Sequence, residues 1–246
     1  MYYSQSFKIR SSECDTSLKL SPAAVLDYFQ EVAGRQCIPY GMGVPEIINK
    51  YGMTWVLSGM SVKFDSYPSW PEELQIETWP RTLKGFKAFR DFLMKDNSGN
   101  ILARGSSVWA LLDIKTRRPV KMDFVGGIMP YDAERHAIED PVLGRIPAAE
   151  SFNQEEIVFP VSPSDLDYNQ HVNNIRYLIW LMTYLDPAYS KDSELIDLNI
   201  AFTGESRLGD DICIKSFMDG EKGLHSFVKV QDGKEVCRMS TRWRKS

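Results

Sequence analysis

The chain of 246 residues runs through the same order of elements twice, and that repetition narrows its possible folds more than any other feature. Each half opens with a short alternating strand, passes a polar turn into one amphipathic helix, and continues as a series of strands. In the first half the strand lies near 3–10. Ser21-Pro22 then supplies an N-cap and a proline at the first helical position, followed by Val25, Leu26, Phe29, Val32 and Ala33 at helical spacing. A short helix is expected from Pro45 to Tyr51, stopped by Gly52. Beyond it, segments rich in Val, Ile, Phe, Trp and Thr are punctuated by Pro68, Pro71, Gly85 and Asn97-Ser98-Gly99-Asn100, the pattern of antiparallel strands. In the second half a strand near 156–161 precedes a helix near 173–185. Strands are expected near 195–203, 211–218, 224–231 and 234–244, with Asp219-Gly220 and Asp232-Gly233 as hairpin signals.

Gapless overlay of the two halves tests the repetition. At a shift of 152, Asp15, Leu20, Tyr28 and Phe29 fall on Asp167, Val172, Trp180 and Leu181. At a shift of 138, Val62, Phe64, Leu74, Ile76 and Trp79 fall on Ile200, Phe202, Ile212, Ile214 and Phe217. At a shift of 134, Gly99, Leu102, Arg104, Ser106 and Trp109 fall on Gly233, Val236, Arg238, Ser240 and Trp243. Order is kept and the shift shrinks, so the loops of the second copy are shorter. Three matches in series are hard to obtain by chance from two unrelated amphipathic segments, and the chain reads as a duplication. From 119 to 154 no period is sustained, and Pro119, Gly126-Gly127, Pro130, Pro141, Gly144 and Pro147 interrupt the chain. The expected organisation is a first unit over 1–125, a linker over 126–154 and a second unit over 155–246, of class α+β.

Composition removes other classes. With 43% hydrophobic and 25% charged residues the chain matches soluble globular proteins, not disordered or collagen-like ones. The longest nearly unbroken apolar run, Tyr177 to Leu185, is less than half the length of a bilayer span. The first ten residues alternate like a strand and lack the layout of a signal peptide, so a cytoplasmic location is expected. Cys14, Cys37, Cys213 and Cys237 form no C-x-x-C pair and read as packing residues, with no metal site implied. A net charge of -4 argues against a general nucleic-acid binder. The charge is unevenly spread: residues 1–125 hold 16 basic and 13 acidic side chains, and residues 150–246 hold 11 and 16.

Polar residues concentrate at Ser164-Asp165-Leu166-Asp167-Tyr168-Asn169-Gln170-His171-Val172-Asn173-Asn174, immediately before the second helix. His171 is one of only three histidines, and it stands where helix N–H groups are unsatisfied. Asp165-x-Asp167-x-Asn169 begins like a calcium loop, but the required glycine is Gln170 and the twelfth-position glutamate is Arg176. A helix cap from Asn173 or Asn174 accounts for one asparagine and leaves His171 and Asn169 unexplained. Gly41-Met42-Gly43 matches only the start of a dinucleotide fingerprint, and Gly204-Glu205-Ser206-Arg207-Leu208 misses the last glycine of a serine-hydrolase elbow.

Asp167-x-Asn169-x-His171-Val172-Asn173-Asn174, followed by Tyr177 and Trp180 and then Glu205-Ser206 after a strand, resembles the active-site region of the acyl-ACP thioesterases, the plant plastid enzymes and their bacterial relatives. The resemblance covers nearly the whole chain. It implies a tandem double hotdog, each unit a long helix wrapped by an antiparallel sheet, which is the unit inferred independently for each half. It also implies catalytic roles for Asp167, Asn169, His171 and Glu205, no cofactor, and as substrate a fatty acyl chain carried by acyl carrier protein. Plant members carry a cysteine after the glutamate; Ser206 stands there, which places any thiol mechanism in doubt. They also carry a transit peptide, not seen here, which favours a cytosolic enzyme of bacterial type. A homodimer is left open.

Against the motif, the first copy holds Asp15, Ser17 and Lys19, with Tyr67 opposite Glu205. One active site per chain is therefore expected, built from the second half, with the first half shaping the acyl cavity. Glu205 would activate water, Asn169 or the helix N–H groups would hold the oxyanion, and His171 would polarise the carbonyl or carry the proton, its tautomer fixed by Asp167. The competing scheme uses Asp167 or Glu205 as nucleophile, through an anhydride. An acidic carrier suits the basic first half, where Lys115-Thr116-Arg117-Arg118-Pro119-Val120-Lys121 is the densest basic stretch; a solvated hairpin end is the plainer account of it. Two alternative classes are a hotdog hydratase or dehydratase on acyl thioesters and a non-catalytic acyl-binding protein.

Overall fold

Two long helices, each opened by a side-chain cap, pack against antiparallel strands. The computed structural model describes residues 2–186, 189 and 193–245. The chain divides into two compact units, Met1–Ser58 with Val62–Pro141, and Gly59–Ser61 with Val142–Ser246. The first half contains β1 (Tyr3–Lys8), α1 (Pro22–Cys37), α2 (Val44–Tyr51), β2 (Met53–Phe64), β3 (Glu73–Lys84), β4 (Lys87–Lys95), β5 (Ile101–Asp113) and one helical turn, α3 (Asp123–Gly126). The second contains β6 (Ile157–Pro160), α4 (Asn174–Tyr184), β7 (Ser193–Phe202), β8 (Asp211–Asp219), β9 (Lys222–Lys229) and β10 (Glu235–Lys245). Hydrogen-bonded neighbours run β1-β3-β4-β5-β2 in the first set and β6-β8-β9-β10-β7 in the second, the same wiring.

The helices are held by aromatic side chains aimed at the sheets. Val25, Phe29 and Val32 of α1 are fully buried, each contributing roughly 1.5–3 kcal/mol. Phe29 stacks on Phe92 of β4 with centroids 4.7 Å apart, and Tyr28 stacks on Phe7 of β1 at 4.6 Å. A Cβ at Gly105 in β5 would lie 2.6 Å from the Phe29 ring, so the absent side chain lets the helix settle on the strands. In the second unit Tyr177 of α4 meets Phe227 of β9 edge-on at 5.5 Å, and Trp180 meets Phe159 of β6 at 5.0 Å.

The approach to each helix repeats the same backbone bonds. Tight turns at Ser11–Glu13 and Pro163–Asp165 are closed by carboxylates, Glu13 accepting from Arg10 N–H and Asp165 from Ser162 N–H, both at 2.8 Å. The N–H groups of Ser21 and Asn173 donate to the carbonyls of Glu13 and Asp165 at 2.9 Å. Leu18 and Gln170 share a left-handed φ of 62°. Ser21 Oγ then accepts from Ala24 N–H at 3.3 Å and Asn173 Oδ1 from Ile175 N–H at 3.0 Å, so of the two candidate asparagines Asn173 is the cap.

Residues 119–154 contain one short helix, yet each part is fastened down. Ala137 N–H donates to buried Asp91 at 2.9 Å, Trp79 Nε1 to Arg135 C=O at 3.0 Å, and Arg238 to Ile146 C=O at 2.9 Å. The basic stretch after β5 is an exposed turn, closed where Asp113 accepts from Thr116 N–H at 2.7 Å. Cys37, Cys213 and Cys237 are buried thiols and Cys14 is partly exposed; burial pushes the thiols of Cys37 and Cys237 up.

His225 in β9 is wholly buried, Nδ1 lying 2.9 Å from Ser216 Oγ and Nε2 3.0 Å from Thr241 Oγ1. Burial pushes its pKa from 6.5 down to about 3. Between those values the unfolded chain binds a proton that the folded chain refuses. Stability should therefore be intact above the unfolded pKa and fall as pH drops toward 3, by at most about 1.4 kcal/mol per pH unit. His225→Gln keeps hydrogen-bonding capacity without titrating, and urea unfolding of this variant should show a flatter slope between pH 6 and 4 than wild type. An equal slope would contradict this account.

Candidate active site

The motif residues of the second unit lie on a loop ahead of α4 and on the segment behind β7. Asp167 closes the loop: its Oδ1 accepts from the N–H groups of Asn169 at 2.8 Å and His171 at 3.2 Å, while its own N–H donates to His171 C=O at 2.7 Å. Gln170 takes the left-handed conformation that lets the chain turn within so few residues. Val172 N–H, one residue on, donates to Ser206 C=O at 2.8 Å. That bond joins the loop to the segment behind β7 and brings the neighbours of its two ends together. His171 Nε2 lies 3.4 Å from Glu205 Oε2, with the imidazole 20% and the carboxylate 34% exposed, so both reach solvent from a partly desolvated position.

Asp167 acts on the loop backbone; among the described residues it makes no hydrogen bond to the His171 ring, the contact expected to fix the tautomer. Asn169 is half-buried, and its side-chain amide has no hydrogen-bond partner among the described residues. It is a free donor on the loop that carries His171. Ser206 is buried, and Tyr177 Oη donates to its hydroxyl at 3.1 Å, so it packs the helix against this segment. Burial pushes the Tyr177 phenol up, which keeps it a donor. Among the described residues no group of three or more His, Cys, Asp or Glu side chains is placed to hold a metal ion.

Sequence reasoning passed over two cations. Arg207 reaches within 3.7 Å of Glu205 Oε2 and sets a positive charge beside that carboxylate. Arg176 in the first turn of α4 binds the buried Asp165 through Nε and a terminal nitrogen, both at 2.6 Å. Arg207 stands two residues after Glu205, a same-side spacing in extended chain that could have flagged it. Arg176 and Asp165 are eleven positions apart, and no periodicity announces the pair. Asp165 is buried and Arg176 half-buried, so removing the guanidinium strands a desolvated carboxylate. Arg176→Met should therefore lower unfolding free energy by about 3 kcal/mol in chemical denaturation; a loss below about 1 kcal/mol would show that Asp165 does not need it.

Residues 1–124 match the model of the acyl-ACP thioesterase N-terminal domain, and residues 149–245 that of the acyl-ACP thioesterase C-terminal domain. A chloroplastic palmitoyl-acyl carrier protein thioesterase of Gossypium hirsutum is 29% identical, over 99% of this chain and 64% of its own length. A chloroplastic dodecanoyl-[acyl-carrier-protein] hydrolase of Cinnamomum camphora is 26% identical, over 99% of this chain and 68% of its own. The chain thus spans a little under two thirds of the Gossypium protein. Among solved structures, an acyl-ACP thioesterase from Bacteroides thetaiotaomicron VPI-5482 superposes with a TM-score of 0.85 at 23% identity, covering 99% of this chain and 98% of that one. The 12:0-ACP thioesterase from Umbellularia californica gives 0.88 at 24%, covering 100% and 98%. These likenesses establish the double hotdog fold that the motif and the duplication led us to expect.

Proposed function

The chain belongs to the acyl-ACP thioesterase family, and on that premise we propose that it hydrolyses the thioester of a fatty acyl chain on acyl carrier protein, releasing free fatty acid and holo-carrier in fatty acid biosynthesis. The observation that carries the reading is the His171–Glu205 contact at 3.4 Å, formed beside a loop whose Asn169 amide is unengaged. A carboxylate, an imidazole and a free amide donor are the parts that thioester hydrolysis requires.

In this reading Glu205 takes a proton from a water as the water oxygen attacks the acyl carbon. Negative charge develops on the carbonyl oxygen and is met by the Asn169 amide N–H, a preorganised donor with no competing partner. When the tetrahedral carbon collapses the C–S bond breaks, and the departing sulfur recovers the proton from Glu205 by way of His171. An imidazole serves here because it both accepts and donates near neutrality. One water is consumed, and one carboxylic acid and one thiol appear. Arg207, 3.7 Å from Glu205 Oε2, holds a positive charge beside the carboxylate that takes the proton. The first unit, with Asp15, Ser17, Lys19 and Tyr67 at the matching positions, takes no part in the proton transfers.

Release of free thiol from a panel of acyl-ACP and acyl-CoA substrates tests the reading and separates it from its alternatives. A hydratase would change the acyl chain and leave the thioester intact, and a binding protein would turn nothing over. Wild type should release thiol with at least one acyl-ACP. His171→Ala and Glu205→Gln should each lose a hundredfold or more of kcat with an unchanged circular dichroism melt, and Asn169→Ala about tenfold to a hundredfold. Near-normal turnover by His171→Ala would remove it from the mechanism.

A further inference from the structure

We propose that Asp167 is a positioning residue, which shapes the backbone carrying Asn169 and His171 and forms no bond to the substrate. The inference rests on the thioesterase reading of this site and changes the part assigned to one of its members.

The first unit provides a built-in control. There Asp15 Oδ1 accepts from the N–H groups of Ser17 at 2.8 Å and Lys19 at 3.0 Å, and Asp15 N–H donates to Lys19 C=O at 2.8 Å. These are the bonds that Asp167 makes to Asn169 and His171, at positions 152 residues later. The left-handed residue recurs at Leu18 and Gln170, and the bridges that close the loops recur as Cys14 with Leu20 and Leu166 with Val172. Around Asp15 the chemistry is gone. Ser17 and Lys19 replace the asparagine and histidine, and Tyr67 stands where the second copy has Glu205. The aspartate and its bonds persist without them, so the task common to both copies is closing the loop.

Electronic demand points the same way. A charged carboxylate is a stronger acceptor than a neutral carbonyl. Attack by Asp167 on an acyl carbon would convert it to a neutral anhydride and weaken its hold on the His171 N–H, at the step when the imidazole must stay in place. Proton handling is left to Glu205 and His171.

Asp167→Asn separates the two roles, because an amide oxygen can accept the same two N–H groups and cannot act as nucleophile or base. The variant should keep more than a tenth of wild-type kcat on acyl-ACP, corrected for folded fraction by circular dichroism, with the pH profile of kcat/KM unmoved. Asp167→Ala, which removes the acceptor, should lose more than Asp167→Asn. Hydrogen exchange at residues 167–172 should quicken in Asp167→Ala and stay near wild type in Asp167→Asn. Asp15→Ala should produce the same exchange signature at residues 15–20 with kcat unchanged. A folded Asp167→Asn with less than a tenth of wild-type kcat, or exchange at 167–172 indifferent to both substitutions, would overturn the proposal. Failure of wild type to release thiol from any acyl-ACP or acyl-CoA would instead overturn the thioesterase reading, and the exchange measurement would still decide the loop role.

Discussion

One backbone hydrogen bond, from Val172 N–H to Ser206 C=O at 2.8 Å, ties the loop ahead of α4 to the segment behind β7, and the arrangement of the site depends on it. The residue before one end is His171 and the residue before the other is Glu205, so the bond sets imidazole against carboxylate. Its surroundings keep it fixed. Tyr177 reaches from α4 to the Ser206 hydroxyl, Asp165 anchors Arg176 of the same helix, and Asn173 caps the helix N-terminus. The side chains that meet solvent stand on a frame in which Asp165, Val172, Tyr177 and Ser206 are buried, the kind of support that holds a site's geometry.

Duplication accounts for much of the length. Both copies keep the entrance turn, the aspartate loop, the helix cap and the strand wiring, because each solves the same problem of seating one long helix on a sheet. They diverge at Ser17 and Asn169, Lys19 and His171, Tyr67 and Glu205, while the backbone bonds that close the loop are kept in both copies. What stays constant between the copies reports folding, and what changes reports chemistry. That division can be read inside one chain, since both copies have had the same backbone to build.

Local structure was legible where it follows from period or cap chemistry. The apolar spacing from Val25 to Ala33 marks α1, the alternating segments mark the strands, and Ser21-Pro22 marks a helix start. The resemblance singled out Asp167, Asn169, His171 and Glu205 and set Asp167 against the His171 ring; that the imidazole instead lies against Glu205, 3.4 Å away, came from the structure. Other features were hidden because they join residues that no pattern links. Periodicity does not reveal that β2 pairs with β5 and not with the strands nearer in sequence, that Arg176 neutralises Asp165, or that Tyr177 holds Ser206. Choosing between Asn173 and Asn174 required the backbone angles at the helix start, and Asp167 could have met either the imidazole or the backbone until its side-chain direction was known.

The central claim is that His171 and Glu205 act as one proton-handling unit. A double-mutant cycle on kcat for thiol release from acyl-ACP tests it most directly, comparing His171→Ala, Glu205→Gln and the double variant. Residues that work as a unit are lost together, so the double variant should fall no more than about threefold below the weaker single variant. Losses that multiply, with each substitution costing its full factor in the background of the other, would mean that the two groups act independently and would contradict the account.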